Sequence, residues 1–384
     1  MKAPLSPTEQ ANGTWLGRVW NPTVQGPSVV TIRDGALLDI TAKTAPTVAA
    51  ILDQDHPARY VQAAPGQPLG SLDAIAANPV GDLHKLHLLA PCDLHVIKAA
   101  GVTFAKSMVE RVIEERAAGD LKAADAIRTR IGDSIGHSLA NIVPGSDQAA
   151  ALKQMLIAEG LWSQYLEVGI GPDAEVFTKA PVLAAVGYGA DVGLHPMSTW
   201  NNPEPEVVVA VNAQGKVQGA CLGNDVNLRD VEGRSALLLS KAKDNNASAA
   251  IGPFIRLFDA DFGLPDVERI EVSMAVSGED GFTLSGRSNM SEISRPVLEI
   301  VRQTIGQHHQ YPDGFMLYTG TMFAPTKDRD TPGEGFTHKL GDIAEISAPG
   351  LGTLDNRVQD ATAIAPWRFG LRQFMQNLAQ RGLI

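Results

Sequence analysis

Only two cysteines, Cys92 and Cys221, occur in the 384 residues. Two thiols cannot form a disulfide framework for a chain of this length, so a reducing cytoplasm fits. Positive charge is scarce too. There are 32 Lys and Arg against 43 Asp and Glu, a formal net charge of −11. That deficit disfavours nucleic acid and anionic membrane surfaces as partners. It leaves room for an anionic small molecule, because a metal ion and a few local cations can invert the field around a site. No apolar run approaches a membrane span, and the opening MKAPLSPTEQANGTW has no apolar core of the secretory kind. Repeats and low-complexity tracts are missing as well.

What remains is an ordinary globular composition, 44% hydrophobic and 20% charged, with ample material for a core. Asp34-Gly35 between apolar runs signals a hairpin, and short helices are expected around 45–52 and 71–77, with a loop over 60–70. The first 92 residues therefore read as a small α+β domain, and 93–384 as a second, larger one. HVIKAAGVTF reads as a strand and Gly turn. The apolar spacing of Met108, Val109, Val112 and Ile113 then predicts a helix, in which Ser107 and Glu110 have the spacing of a capping box. Helical stretches over 121–136 and 146–159 complete a helical insertion at about 107–160. Beyond it come many short strands: 176–179, 184–188, 269–276, 283–287, 315–322, 342–347 and 352–358. Helices are expected at 294–305 and 369–378, and Ile251-Gly-Pro-Phe254 reads as a break. This pattern favours a β-rich α+β fold over a doubly wound sheet.

The chemistry concentrates in WNNPEPEVVVAVNAQGKVQGACLGND, residues 200–225. On a strand, Glu204 and Glu206 point to one face. The turn-like Asn212-Ala-Gln-Gly215 would fold the second apolar run back and return Asp225 to them. Three carboxylates around open positions suit Mg²⁺ or Mn²⁺; a charged strand entrance and turn is the plainer reading. His308 and His309 are adjacent, so only one could face such a site, and they read as surface residues. Cys221 reads as a small buried residue.

From Asp93 onward the chain resembles the fumarylacetoacetate hydrolase superfamily. The features that carry the likeness are the Gly101 turn, Phe177-Thr-Lys179, Glu204-x-Glu206, Gly223-Asn-Asp225-Val-Asn-Leu-Arg229-Asp230, Lys241 with Asp244, Gly252-Pro253, Ser288-Asn-Met290 and Gly320-Thr321. WSQYLEV, WNNPEPEVV and HQYPDGF are similar to the branch of 2-keto-3-deoxy-D-pentonate dehydratases. The resemblance implies a β-roll of mixed sheets with metal held by Glu204, Glu206 and Asp225. It implies Lys241 as the active-site lysine, Arg229 near the metal, and Gly320-Thr321 holding a substrate carboxylate. Many members carry a His and a Glu three residues apart on the helix after the Gly turn, as a water-activating pair. Here those positions are Ser107 and Glu110, and an unassisted serine is a poor base.

The expected activity is a Mg²⁺- or Mn²⁺-dependent dehydratase of a 2-keto-3-deoxy sugar acid, in a homodimer or homotetramer, forming 2,5-dioxopentanoate. Lys241 is the first candidate for proton transfer, Glu110 the second, and Ser107 would orient the leaving hydroxyl. Ser248 and Asn246 are candidates for substrate hydroxyls. Two alternatives stay open: a hydrolase or decarboxylase of acylpyruvate-like diketo acids on the same fold, and a non-enzymatic module that binds sugar acids.

Overall fold

The computed structural model describes residues 2–121, 123–124, 126–127, 139, 142–323, 325, 327–331 and 335–384. The N-terminal unit is built on strands β1 (Trp15–Asn21), β2 (Gly26–Arg33), β3 (Ala36–Asp39), β4 (Gln67–Ser71) and β5 (His87–Leu89). Asp34 (φ +52°) and Gly35 (φ +73°) both take positive φ and link β2 to β3 as the hairpin signal predicts. The expected loop over 60–70 is instead the end of a helix, Pro57–Ala63, followed by β4. Pro57 at the first helical position and the partnering of β4 with β3 organise a stretch whose PGQP composition reads as loop.

The larger part contributes β6 (Val96–Ala100), β7 (Val176–Ala180), β8 (Asp191–Leu194), β9 (Asn201–Asn202), β10 (Pro205–Val211), β11 (Val217–Asp225), β12 (Asn227–Leu228), β13 (Ala249–Leu257), β14 (Glu271–Ser277), β15 (Thr283–Asn289), β16 (Phe315–Tyr318), β17 (Ile343–Ala348) and β18 (Gly352–Asp360). One sheet runs β4-β3-β2-β1-β13-β11-β10-β16-β6-β7, with β5 on β1. A second runs β15-β14-β17-β18-β8, and β9 pairs with β12. The β16–β6 and β18–β8 pairs are parallel and the other ladders antiparallel, so the architecture is the expected mixed, β-rich α+β fold. The N-terminal unit is continuous with the rest through the Trp15↔Arg256 and Leu16↔Ile255 pairing of β1 with β13.

β13 corrects one expectation. Gly252 and Pro253 lie inside a strand that is buried along its whole length. Proline is tolerated within a sheet at a bulge, and the β11–β13 register shifts there, between Ala220 and Leu222. Residues 184–188 form no strand, only an isolated bridge from Val186 to Ala250. The 121–136 stretch lies largely outside the described residues. Around it the helices Ala105–Arg116, Asp147–Ala158 and Gln164–Ile170 share one apolar cluster through Met108, Val112, Leu152, Leu156 and Leu166. Phe104 takes the N-cap position of the first, so Ser107 lies inside the helix, its hydroxyl donates to the Phe104 carbonyl at 2.8 Å, and no Ser107–Glu110 capping box forms. Among the described residues no helix is long and apolar enough to cross a membrane.

The sheet must curl strongly. β7 and β11 are four strands apart in the ladder order, roughly 19 Å if flat. Yet Lys179 on β7 reaches Asp225 at the end of β11, with Nζ 2.7 Å from Oδ1. That curl makes the roll and puts residues distant in sequence around one buried point.

Candidate metal and active site

β10 is PEVVVAV, buried at every residue, and its valine run suits a strand covered on both faces. Asn212 Oδ1 accepts from the Gln214 and Lys216 amides and closes the turn, with Gly215 at φ +77°. The antiparallel register sets Pro205 opposite Asn224 and Glu206 opposite Gly223. Two bonds clamp the open end: Asn224 Oδ1 accepts from the Glu204 amide (3.1 Å), and the Asp225 amide donates to the Glu204 carbonyl (3.0 Å). Carboxylate oxygens of Glu204, Glu206 and Asp225 thereby come within 4.8 Å of one another, all three side chains buried.

Burying three carboxylates together is costly unless each is compensated. Glu204 is paired with Arg111 and with Lys243, whose Nζ lies 2.5 Å from Oε2. Burial opposes its ionisation, but the two cations win and hold the carboxyl at about 2. Asp225 is gripped by Lys179 on one oxygen and Lys243 on the other (2.7 and 3.1 Å). Glu206 is different. Among the described residues it accepts only from the Gly320 amide (2.7 Å) and Thr321 Oγ1 (3.3 Å). Burial, then Asp225 and Glu204, push its carboxyl well above the usual range. A divalent cation would relieve this repulsion, and the hard oxygen donors are those that Mg²⁺ or Mn²⁺ takes. The donor set therefore fits such an ion, with Glu204, Glu206 and Asp225 as its holders.

Gly320 has φ +111°, and a Cβ there would stand 1.9 Å from Thr103 Oγ1, so only glycine turns this amide toward Glu206. Gly320 and Thr321 thus meet a candidate metal ligand. A wider shell of ion pairs surrounds the three carboxylates. Arg111 also pairs with Glu114 (2.6 Å) and Glu232 (3.1 Å). Arg229, expected near Asp225, binds Glu110 (2.9 Å) and Glu114 (2.5 Å), and its guanidinium stacks 4.4 Å over the Trp200 ring. Glu110 is therefore an ion-pair partner of Arg229.

The lysine assignment needs correction. Lys241 is exposed, while Lys243, two residues on in the short helix Leu239–Lys243, is buried against Glu204 and Asp225. Residues i and i+2 of a helix are about 200° apart, so only one of them can face the carboxylates. Lys243 is opposed by burial, but Asp225, Glu204 and Glu232 more than offset this and raise its ammonium. Ser248 does not present a free hydroxyl: it donates to the Lys243 carbonyl (2.7 Å) and accepts from the Asn245 amide (3.0 Å). Asn246 is likewise committed, to the Ala361 and Ala365 carbonyls.

Sequence reasoning missed Glu175. This half-buried carboxyl lies against Gly101, where a Cβ would stand 1.8 Å from Glu175 Oε2. Burial, then Glu232, raise it to about 7 against the pull of Arg111 and Lys243. Its only sequence signal is indirect: a glycine turn leaves room for something, and Glu175 stands two residues before Phe177-Thr-Lys179. Arg111 and Glu232 gave no signal at all. His308 and His309 are exposed and Cys221 is buried, as expected. An open groove of about 1350 Å³, lined by Arg33, His56, Gln62 and Asp259 among others, lies between the N-terminal unit and the segment after β13 and excludes the carboxylates. Here chemistry, not volume, marks the site.

Residues 172–359 match the family model described as fumarylacetoacetate (FAA) hydrolase C-terminal. The 2-dehydro-3-deoxy-D-arabinonate dehydratase of Saccharolobus solfataricus is 29% identical over 180 residues, 47% of this chain and 57% of that protein. The probable 2-keto-3-deoxyxylonate dehydratase of Haloferax volcanii is 30% identical over 194 residues, 50% of this chain and 63% of its own length. The chain thus spans somewhat under two thirds of these relatives. A solved 2-keto-3-deoxyarabinonate dehydratase superposes over 90% of this chain and 99% of its own, with a TM-score of 0.62 at 20% identity. A 2-keto-3-deoxy-D-arabinonate dehydratase complexed with magnesium and 2,5-dioxopentanoate has the same coverage and a TM-score of 0.60. At such identities these structures speak for the fold. Residues 172–359, which carry Glu204, Glu206 and Asp225, thus match the fumarylacetoacetate hydrolase family.

Proposed function

We propose that the protein is a Mg²⁺- or Mn²⁺-dependent hydro-lyase that converts a 2-keto-3-deoxy-D-pentonate to 2,5-dioxopentanoate. The observation that carries the reading is the buried Glu204, Glu206 and Asp225 cluster, flanked by Lys243 and by a carboxyl, Glu175, poised near neutrality. The relatives' names supply the substrate class.

The cation, when bound, supplies polarisation of the keto group of a 2-keto acid, which acidifies the C3 protons. Glu175 accepts a C3 proton as general base, since a carboxyl that titrates near 7 is matched to that task at neutral pH. The C4 hydroxyl then leaves as water, and protonated Glu175 can return the proton it took. The C3=C4 alkene isomerises as C5 gives up a hydrogen and C3 gains one, and the resulting C4=C5 enol loses its hydroxyl proton while C4 gains one, which makes C5 the aldehyde. Lys243 has two of its three N–H bonds on Glu204 and Asp225 and keeps one for substrate oxygen. Ser107 offers no hydrolytic base in this scheme, because a neutral hydroxyl without a partner base is too weakly basic, and its proton is donated to the Phe104 carbonyl.

The test is to mix the purified protein, Mg²⁺ and 2-keto-3-deoxy-D-pentonate and follow the aldehyde by NMR. Formation of 2,5-dioxopentanoate is expected. Cleavage of acylpyruvates or decarboxylation of oxaloacetate, with no dehydration, would replace this reading.

A further inference from the structure

Lys179 is a fully buried cation that this chemistry leaves without a task. An ammonium has three N–H bonds and no acceptor. Lys179 Nζ has more acceptors around it than protons: Asp225 Oδ1 at 2.7 Å, the Val226 carbonyl at 3.1 Å, the Lys243 carbonyl in close contact, and Ser248 Oγ at 3.4 Å. Nothing remains to reach a substrate. Lys243 is placed otherwise, with Glu204 Oε2 and Asp225 Oδ2 as its two polar partners among the described residues. The two lysines therefore divide the two oxygens of Asp225 between them, and only one lysine keeps a donor.

We infer that Lys179 is a positioning residue that fixes the orientation of Asp225 for cation binding and, through the Lys243 carbonyl, the position from which Lys243 acts. The inference rests on the metal-dependent reading above. Lys179 belongs to β7, whereas Asp225 ends β11 and Lys243 ends a short helix, so one ammonium ties together three segments, no two of which pair as neighbouring strands. A ligand carboxylate held on one oxygen presents the other in one direction. Groups that hold a ligand in this way typically change metal affinity by about 10- to 100-fold when removed.

The experiment is a titration of the full chain with Mn²⁺, read by electron paramagnetic resonance without substrate, alongside thermal unfolding. Lys179→Met and Lys179→Gln are compared with Lys243→Met; glutamine keeps donors for the Val226 and Lys243 carbonyls if methionine prevents folding. Expected is a loss of Mn²⁺ affinity of about tenfold or more in a cooperatively folded Lys179→Gln protein, with Lys243→Met binding no more weakly than the parent. Parental Mn²⁺ affinity in either folded Lys179 variant overturns the positioning role and leaves the function untouched. Failure of the parent protein to bind Mn²⁺ would overturn both.

Discussion

The Lys243 ammonium lies 3.1 Å from Asp225 Oδ2, inside a cluster of acidic side chains that would repel one another without it. Removing one partner of a buried pair typically costs about 3–5 kcal/mol, because the other charge stays buried and unpaired. Lys243→Met is therefore expected to lose about that much stability, and its turnover should fall by about 10²- to 10⁴-fold. Lys241→Met, on the exposed side of the same helix, should match the parent in both. Denaturant unfolding and steady-state rates of the two variants check this; an inactive Lys241→Met protein would restore the original lysine assignment.

Glu204 and Glu206 should respond differently to the same substitution. Glu204→Gln leaves Arg111 and Lys243 short of a charge partner, so lower stability is expected together with lost metal. Among the described residues Glu206 makes no ion pair, and a neutral glutamine resembles the protonated form that burial favours. Glu206→Gln should keep or raise the melting temperature while abolishing cation binding. Calorimetric titration with Mg²⁺ and thermal melting separate the two, and equal destabilisation of both variants would contradict this electrostatic picture.

The rate should carry a base with an apparent pKa near 7. Glu175 must be deprotonated to accept a proton, so kcat/KM is expected to fall as pH drops through about 7. Glu175→Gln should remove that limb and most of the activity. The stability consequence has the opposite sense. A carboxyl whose pKa is raised by folding contributes stability that is fully present below its unfolded value, about 4.5, and is lost as pH rises through 7. Glu175→Gln should therefore gain melting temperature relative to the parent above pH 7. A parental pH profile in this variant would move the base elsewhere.

Chelation gives a simpler check. Prolonged dialysis against EDTA should abolish dehydration, and added Mg²⁺ or Mn²⁺ should restore it. Full activity after verified metal removal would refute the ligand assignment.

Arg229 holds Glu110 and Glu114 to the wall formed by Trp200. Arg229→Met should cost about 3–5 kcal/mol, and the indole should emit differently once its cation is gone. Equilibrium unfolding monitored by tryptophan fluorescence measures both.

Most strands were readable because alternation, valine runs and turn residues are local signals. Gly252-Pro253 misled because the feature that accommodates it, a register shift against β11, lies on another strand. The 60–70 segment misled because β4 exists only as the partner of β3. The Ser107–Glu110 spacing misled as a capping box, since Phe104 takes the N-cap position three residues earlier and Ser107 lies inside the helix.

By itself the sequence determined the carboxylate triad. Two-residue spacing on a strand and an antiparallel turn suffice to bring Glu204, Glu206 and Asp225 together, and both are properties of one continuous stretch. Their partners were decided only by the tertiary structure. The rotation of a short helix chose Lys243 over Lys241. The curl of the sheet brought Lys179 from β7 to Asp225. The docking of the helix Ala105–Arg116 placed Arg111 on Glu204, and Gly101 let Glu175 lie close across the turn. Each of these contacts joins residues distant along the chain, so no local pattern encodes it. The three ion pairs among them form for one physical reason: buried carboxylates must find cations or hydrogen-bond donors, and the fold decides which ones are within reach.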